Sequence, residues 1–108
     1  MKIRVRVFGD LISILGHELT VELEKGANIN DLIQKISGRV EGFREKIEAL
    51  SKRRGITDSA LVILLNGRNI KLLDGIETLL KDDDVVTFLP PAAGGLYFSF
   101  LSSRLGFD

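Results

Sequence analysis

Ile3, Val5 and Val7 alternate with Lys2, Arg4 and Arg6 at the start of the chain. A period of two is the signature of a strand with one buried face. After a stretch over 9–18 broken by Gly9 and Gly16, the pattern returns as Leu19, Val21 and Leu23 against Thr20, Glu22 and Glu24. So short a connection favours an antiparallel hairpin. The period then lengthens. Ile29, Leu32, Ile33, Ile36 and Val40 recur at helical spacing, which predicts a helix over 29–40 with one apolar stripe. Asn28 stands at its N-cap position, and Asp31 three residues on completes a capping box and meets the positive end of the helix dipole. Two one-faced strands followed by a one-faced helix bury their apolar faces only by packing on each other.

Farther along, Phe43, Ile47 and Leu50 predict a second, more exposed helix that closes near Gly55. Ala60 to Leu65 is a continuous apolar run of strand length, as expected for a strand that is central or covered on both faces. Asn66-Gly67 follows directly and is the strongest hairpin signal in the chain. Arg68 to Lys71 reads as the short returning strand, 72–80 as irregular with a turn at Asp74-Gly75, and Asp82-Asp83-Asp84 as a charged turn. Val85 to Leu89 is the last strand, stopped by Pro90-Pro91, which donate nothing to a ladder. The expected class is α+β, a sheet with one main helix across it and an extra short helix.

With 108 residues the chain is the size of one domain. The absence of cysteine excludes disulfides, thiolate metal sites and a catalytic thiol. Fifteen Lys and Arg balance fifteen Asp and Glu, so no overall charge steers the protein to nucleic acid or an acidic membrane. No apolar run approaches the roughly 20 residues of a membrane span, and Met1 to Arg6 holds no signal-peptide core, so the expected location is the cytoplasm. A single histidine, His17, forms no two-histidine metal site and reads as a solvent-exposed loop residue. Arg39, Arg44, Lys46 and Lys52-Arg53-Arg54 are interleaved with Glu41, Glu45 and Glu48, so a solvated helical face is a better reading than a nucleic-acid surface. Asp82-Asp83-Asp84 lacks the spacing of a calcium loop and reads as a polar turn. The phosphate-binding pattern Gly-x-x-x-x-Gly-Lys is absent. Neither a metal nor a cofactor is expected.

The run from Asp82 through Val85-Val86-Thr87-Phe88-Leu89-Pro90-Pro91-Ala92-Ala93-Gly94-Gly95, taken with Leu65-Asn66-Gly67 and Asn28 to Leu32, resembles the small ubiquitin-like sulfur carriers of the MoaD and ThiS type. Phe8-Gly9-Asp10-Leu11 followed by Leu15-Gly16 matches the MoaD-like branch more closely. The likeness spans 1–95 apart from an enlarged connection around 41–58. It implies a β-grasp fold over 1–95 and a carrier without a catalytic site of its own. It further implies that the Gly95 carboxylate is adenylated and then becomes a thiocarboxylate, or an amide to another protein. Gly94 and Gly95 carry no side chain, so an arm ending in them passes a narrow channel. Pro90-Pro91 stiffens its root.

The implied partners are an adenylating, MoeB-like enzyme and a MoaE-like large subunit of molybdopterin synthase, of which this chain would be the non-catalytic small subunit. By analogy the docking surface is the exposed apolar side of the sheet near the arm, expected at Phe8, Leu65, Phe88 and Pro90. The rival reading is a β-grasp interaction module or protein modifier that carries no sulfur. One departure stands out. Residues 96–108 follow Gly95 and include four of the seven aromatic residues, Tyr97, Phe98, Phe100 and Phe107. Either a protease removes this extension, or Gly95 is not activated, or the segment is foreign to the natural chain. So apolar a segment is no solvated linker, and it is expected to lie on an apolar surface of its own or of a neighbouring copy.

Overall fold

A computed structural model describes residues 1–51 and 61–90. Strand β1 (Lys2–Val7) pairs antiparallel with β2 (Glu18–Glu22), the predicted hairpin. Between them lie a 3-10 turn at Gly9–Leu11 and one helical turn, α1 (Ile12–Leu15). Helix α2 (Ile29–Arg39) begins where its cap demands. The Asn28 side chain accepts from the Asp31 N–H at 2.9 Å, and the Asp31 carboxylate accepts from the Asn28 N–H at 2.9 Å. These two bonds occupy backbone donors that the helix itself cannot satisfy.

Helix α3 (Phe43–Ser51) follows, then β3 (Val62–Leu65), β4 (Arg68–Asn69) and β5 (Val85–Leu89). Asn66 and Gly67 join β3 to β4 with φ of 50° and 88°, the left-handed pair that a two-residue hairpin requires. The Asn66 side chain makes the turn more than local. It donates to the Asp84 carboxylate and accepts from the Val85 N–H, both at 2.9 Å, so the β3–β4 turn is tied to the start of β5. The returning strand is shorter than the sequence suggests: after Asn69 the chain winds into a 3-10 turn at Ile70–Leu72. Ile70 there turns into the main core.

The sheet order is β2-β1-β5-β3-β4. β1 and β5 form a parallel pair at its centre, and every other pairing is antiparallel. Helices α2 and α3 cover one face. Ile29, Leu32 and Ile36 of α2 meet Ile3, Val5 and Val7 of β1, Val21 of β2, Ile63 and Leu65 of β3, and Val86 and Phe88 of β5 in a single buried cluster. Helix α3, expected to be the more exposed of the two, is anchored deeper than that. Phe43 is 0% exposed and packs edge-on against Phe88, with ring centroids 5.8 Å apart and planes at 83°. This is the favoured geometry for aromatic quadrupoles. The predicted closure of the helix near Gly55 lies outside the described residues.

Candidate functional site

Because β5 runs parallel to β1 and antiparallel to β3, the end of β5 meets the end of β1 and the beginning of β3. The register pairs Val7 with Phe88 and Val62 with Leu89, so Phe8, Leu89 and Val62 share one rim of the sheet. The chain leaves the last described strand at Pro90, on this same rim and in the middle of the sheet. Gly94 and Gly95 lie outside the described residues, as does the extension 96–108.

Strand alternation then sorts the expected docking residues by face. Leu65 and Phe88 pair into rows with Val86 and Val7 on the helix side, where they are 9% and 0% exposed. These two are core residues, which corrects the expectation that they line an exposed surface. Phe8 is half-buried and packs on the opposite face, against a small cluster of Val62, Leu64 and Leu89. Pro90 is buried at the end of β5. The structure therefore brings Phe8 together with Val62, Leu64 and Leu89, three residues that sequence reasoning did not single out. The signal for them was in the apolar run itself, because a run without polar alternation has two buried faces, and Val62 and Leu64 occupy the second.

The other half of that outer face is polar. Lys2 lies opposite Glu22 and Arg6 opposite Glu18, all of them exposed. Opposite charges directly across an antiparallel pair support the register. At the far rim the three aspartates act on the backbone. Asp82 accepts from the Lys2 N–H and Asp84 from the Lys81 N–H, each at 2.7 Å, and Asp83 takes φ 71° while donating its N–H to the Lys2 carbonyl. This is the polar turn expected from sequence, and it holds β5 in line with β1. The exposed large apolar side chains Leu72, Leu73, Ile76 and Leu79 lie between β4 and β5, with Leu79 bridged to Asn28 at the start of α2, away from the Pro90 rim. His17 is exposed, and its carbonyl accepts from the Val7 N–H. Lys46 of the basic region approaches Asp10 at 3.9 Å. Among the described residues no buried polar side-chain atom lacks a partner. Among the described residues, too, no group of three His, Cys, Asp or Glu could hold a metal, and no helix is long and apolar enough to cross a membrane.

A mixed five-stranded sheet with a central parallel pair and a capped helix across one face defines the β-grasp, ubiquitin-like class of protein. The chain belongs to the ThiS family, whose profile matches residues 5–95, and is of the MoaD and ThiS type of sulfur carriers and ubiquitin-like modifiers. It is 34% identical over 95 residues to a protein of Archaeoglobus fulgidus named as a sulfur carrier, covering 88% of this chain and 100% of that protein. It is 26% identical over 96 residues to small archaeal modifier protein 3 of Haloferax volcanii, covering 88% and 100%. Among solved structures, one from Pyrococcus furiosus named as molybdopterin converting factor, subunit 1, superposes with a TM-score of 0.64 at 32% identity, covering 85% and 99%. A chain of the BexX/CysO complex of Amycolatopsis orientalis gives 0.65 at 25% identity, covering 86% and 99%. That last neighbour was solved as part of a complex of two proteins.

Proposed function

We propose that this protein carries sulfur as a thiocarboxylate on Gly95, after hydrolysis of the Gly95–Leu96 bond removes residues 96–108. The observation that carries the reading is the extent of the family match, which runs from β1 to Gly95 and stops there. The described fold supports it, since β5 is the middle strand of the sheet and ends at its rim with Pro90, five residues before Gly95.

The chemistry has three steps, and the protein supplies the same carbon to each. Water adds to the Gly95 carbonyl carbon and the amine of Leu96 departs, leaving a carboxylate. That carboxylate attacks the α-phosphorus of ATP on an adenylating partner, and pyrophosphate leaves. Hydrosulfide then attacks the carbonyl carbon of the resulting acyl adenylate, the C–O bond to AMP breaks, and loss of the sulfur's proton leaves the thiocarboxylate. Nothing in this sequence asks the carrier for a base or a metal. It asks for a carbonyl on an arm without side chains, held off a rigid fold. The further recipient in this reading is a MoaE-like large subunit that uses the sulfur for molybdopterin, which the Pyrococcus furiosus relative's name favours.

A second reading shares the first two steps. Attack on the acyl adenylate by a lysine amine of another protein yields an amide, and the relative named as a small archaeal modifier favours it. The test is a chain ending at Gly95, given ATP, a sulfur donor and the adenylating enzyme, and weighed intact. The carrier reading expects one oxygen exchanged for one sulfur. Charging of the 108-residue chain as readily as the shorter one would show that Gly95 is not the site.

A further inference from the structure

The sheet ends differently at its two edges. β4 holds two residues before the chain winds into the 3-10 turn at Ile70–Leu72, so little strand backbone is open there. β2 holds five, Glu18–Glu22, and stands outermost with β1 as its one described neighbour. An edge strand presents a row of unpaired N–H and C=O groups, and keeping the strand very short is one way to avoid this. β4 is blunted in that way and β2 is not.

The register shows which groups are open. Met1 and Leu23 exchange both backbone bonds, and the His17 carbonyl accepts from the Val7 N–H. Such pairs recur at every second residue of an antiparallel ladder. Leu19 and Val21 therefore also turn their backbones to β1, and Glu18, Thr20 and Glu22 turn theirs outward. Among the described residues, none bonds to the outward N–H and C=O groups of these three. Their side chains are exposed on the outer face, whereas Leu19 and Leu23, on the helix side, are half-buried at the margin of the core. An open groove of about 770 Å³ adjoins the end of this edge, lined by Glu22, Leu23, Ala27, Asp31, Gln34 and Lys35.

Charge selects the occupant. Across the outer face Lys2 and Arg6 of β1 stand directly opposite Glu22 and Glu18 of β2. A further strand would lie about 4.8 Å beyond β2, and basic residues on it would set each glutamate between two cations, a favourable cross-strand arrangement. The same rule disfavours a second copy. Paired antiparallel about Thr20, two β2 strands would place Glu18 of each against Glu22 of the other, like charges directly opposite. We propose that β2 accepts, as a sixth strand, an extended segment of a partner protein in which Lys or Arg alternates with apolar residues. The basic residues exchange backbone bonds with Glu18, Thr20 and Glu22, and the apolar ones turn to the helix side beside Leu19 and Leu23. Main-chain bonds then give affinity and the alternation gives selectivity. The edge is two strands from β5, and its reading does not depend on sulfur chemistry at Gly95.

Amide hydrogen exchange of the full chain, read by NMR, tests the edge with an acetylated and amidated peptide, Lys-Val-Lys-Val-Lys-Val-Lys, as the probe. At about ten times its Kd the peptide is expected to slow exchange at Glu18, Thr20 and Glu22 by about tenfold, because only the free fraction exchanges. Leu19 and Val21, already bonded to β1, should keep their rates. The same peptide N-methylated at its lysines has lost the N–H groups that face β2 and should leave all five rates unchanged. Thr20→Pro removes an outward N–H at the kind of edge position where proline is tolerated, and should weaken binding by about tenfold or more. Circular dichroism identifies a variant that fails to fold, and the N-methylated peptide asks the same question of the wild-type chain. Absence of slowing at millimolar peptide would overturn the proposal, as would slowing by the N-methylated peptide. A Glu-Val-Glu-Val-Glu-Val-Glu peptide that binds as tightly would overturn the charge argument. Protection of the three amides without peptide, lost on dilution, would put a second copy on the edge instead.

Discussion

Replacing Phe43 by alanine tests how α3 is held. The ring is 0% exposed and meets Phe88 of the central strand at 5.8 Å, so its removal strips buried area from the helix and leaves a void beside β5. Truncating a fully buried phenylalanine costs about 3–5 kcal/mol, against a total stability of about 5–15 kcal/mol for a domain. With a urea slope of about 1.5 kcal/mol per molar, the unfolding midpoint should fall by about 2–3 M. Phe43→Leu keeps most of the volume and should cost less than about 1.5 kcal/mol. The edge-on contact is isolated by a cycle of Phe43→Leu, Phe88→Leu and the double variant, with an expected coupling of about 0.5–1.5 kcal/mol. Urea unfolding followed by circular dichroism measures all four proteins. A loss below about 1 kcal/mol for Phe43→Ala is what a solvated helix would give, and it would refute the view that α3 is anchored through this ring.

Three further outcomes follow from single residues. Asn66→Ala removes two side-chain hydrogen bonds and puts a Cβ residue at φ 50° without asparagine's local compensation, and should cost about 2–4 kcal/mol. Asn66→Gly relieves the backbone and should cost about 1 kcal/mol less; equal losses in urea unfolding would mean the positive φ stores no strain. Asn28→Ala breaks the capping box and should cost about 1 kcal/mol, whereas Asn28→Ser should stay within a few tenths; thermal unfolding separates them. In a chain ending at Gly95, Gly95→Ala should leave the unfolding midpoint unchanged and sharply reduce uptake of sulfur in the intact-mass assay, and unchanged uptake would sink the narrow-channel argument.

The elements whose cause is local were legible in the sequence. The β1–β2 hairpin, the Asn28–Asp31 box and the Asn66-Gly67 turn each depend on residues within a few positions of one another, and each is found where its pattern stands. What the pattern lacked was phase across long separations. Leu65 and Phe88 look like their neighbours Leu64 and Leu89 in the sequence, and only the pairing of β5 with both β1 and β3 decides which pair faces the helices. The same holds for Phe43. Its spacing with Ile47 marks an apolar stripe, but its burial is set by Phe88, forty-five positions away. Of the residues expected to form an exposed surface, Phe8 alone stays partly exposed: Leu65 and Phe88 face the helices, Pro90 is buried, and Leu65 stands at the opposite end of β3 from the rim that Phe8 and Pro90 share.

The position of β5 in the sheet has a consequence for synthesis and turnover. The β1–β2 and β3–β4 hairpins share no ladder with each other, and both are stitched to β5, the last described strand. As the chain emerges from a ribosome, neither hairpin can complete a sheet until residues 85–89 have appeared, so folding of this sheet waits for its last described strand. The dependence also runs backwards. A protease that trims from the C-terminus through Val85 removes the seam along with the arm, and two marginal hairpins remain. Molecules that have lost Gly95 by such trimming soon lose the fold as well, and would be degraded instead of persisting as intact decoys that occupy a partner.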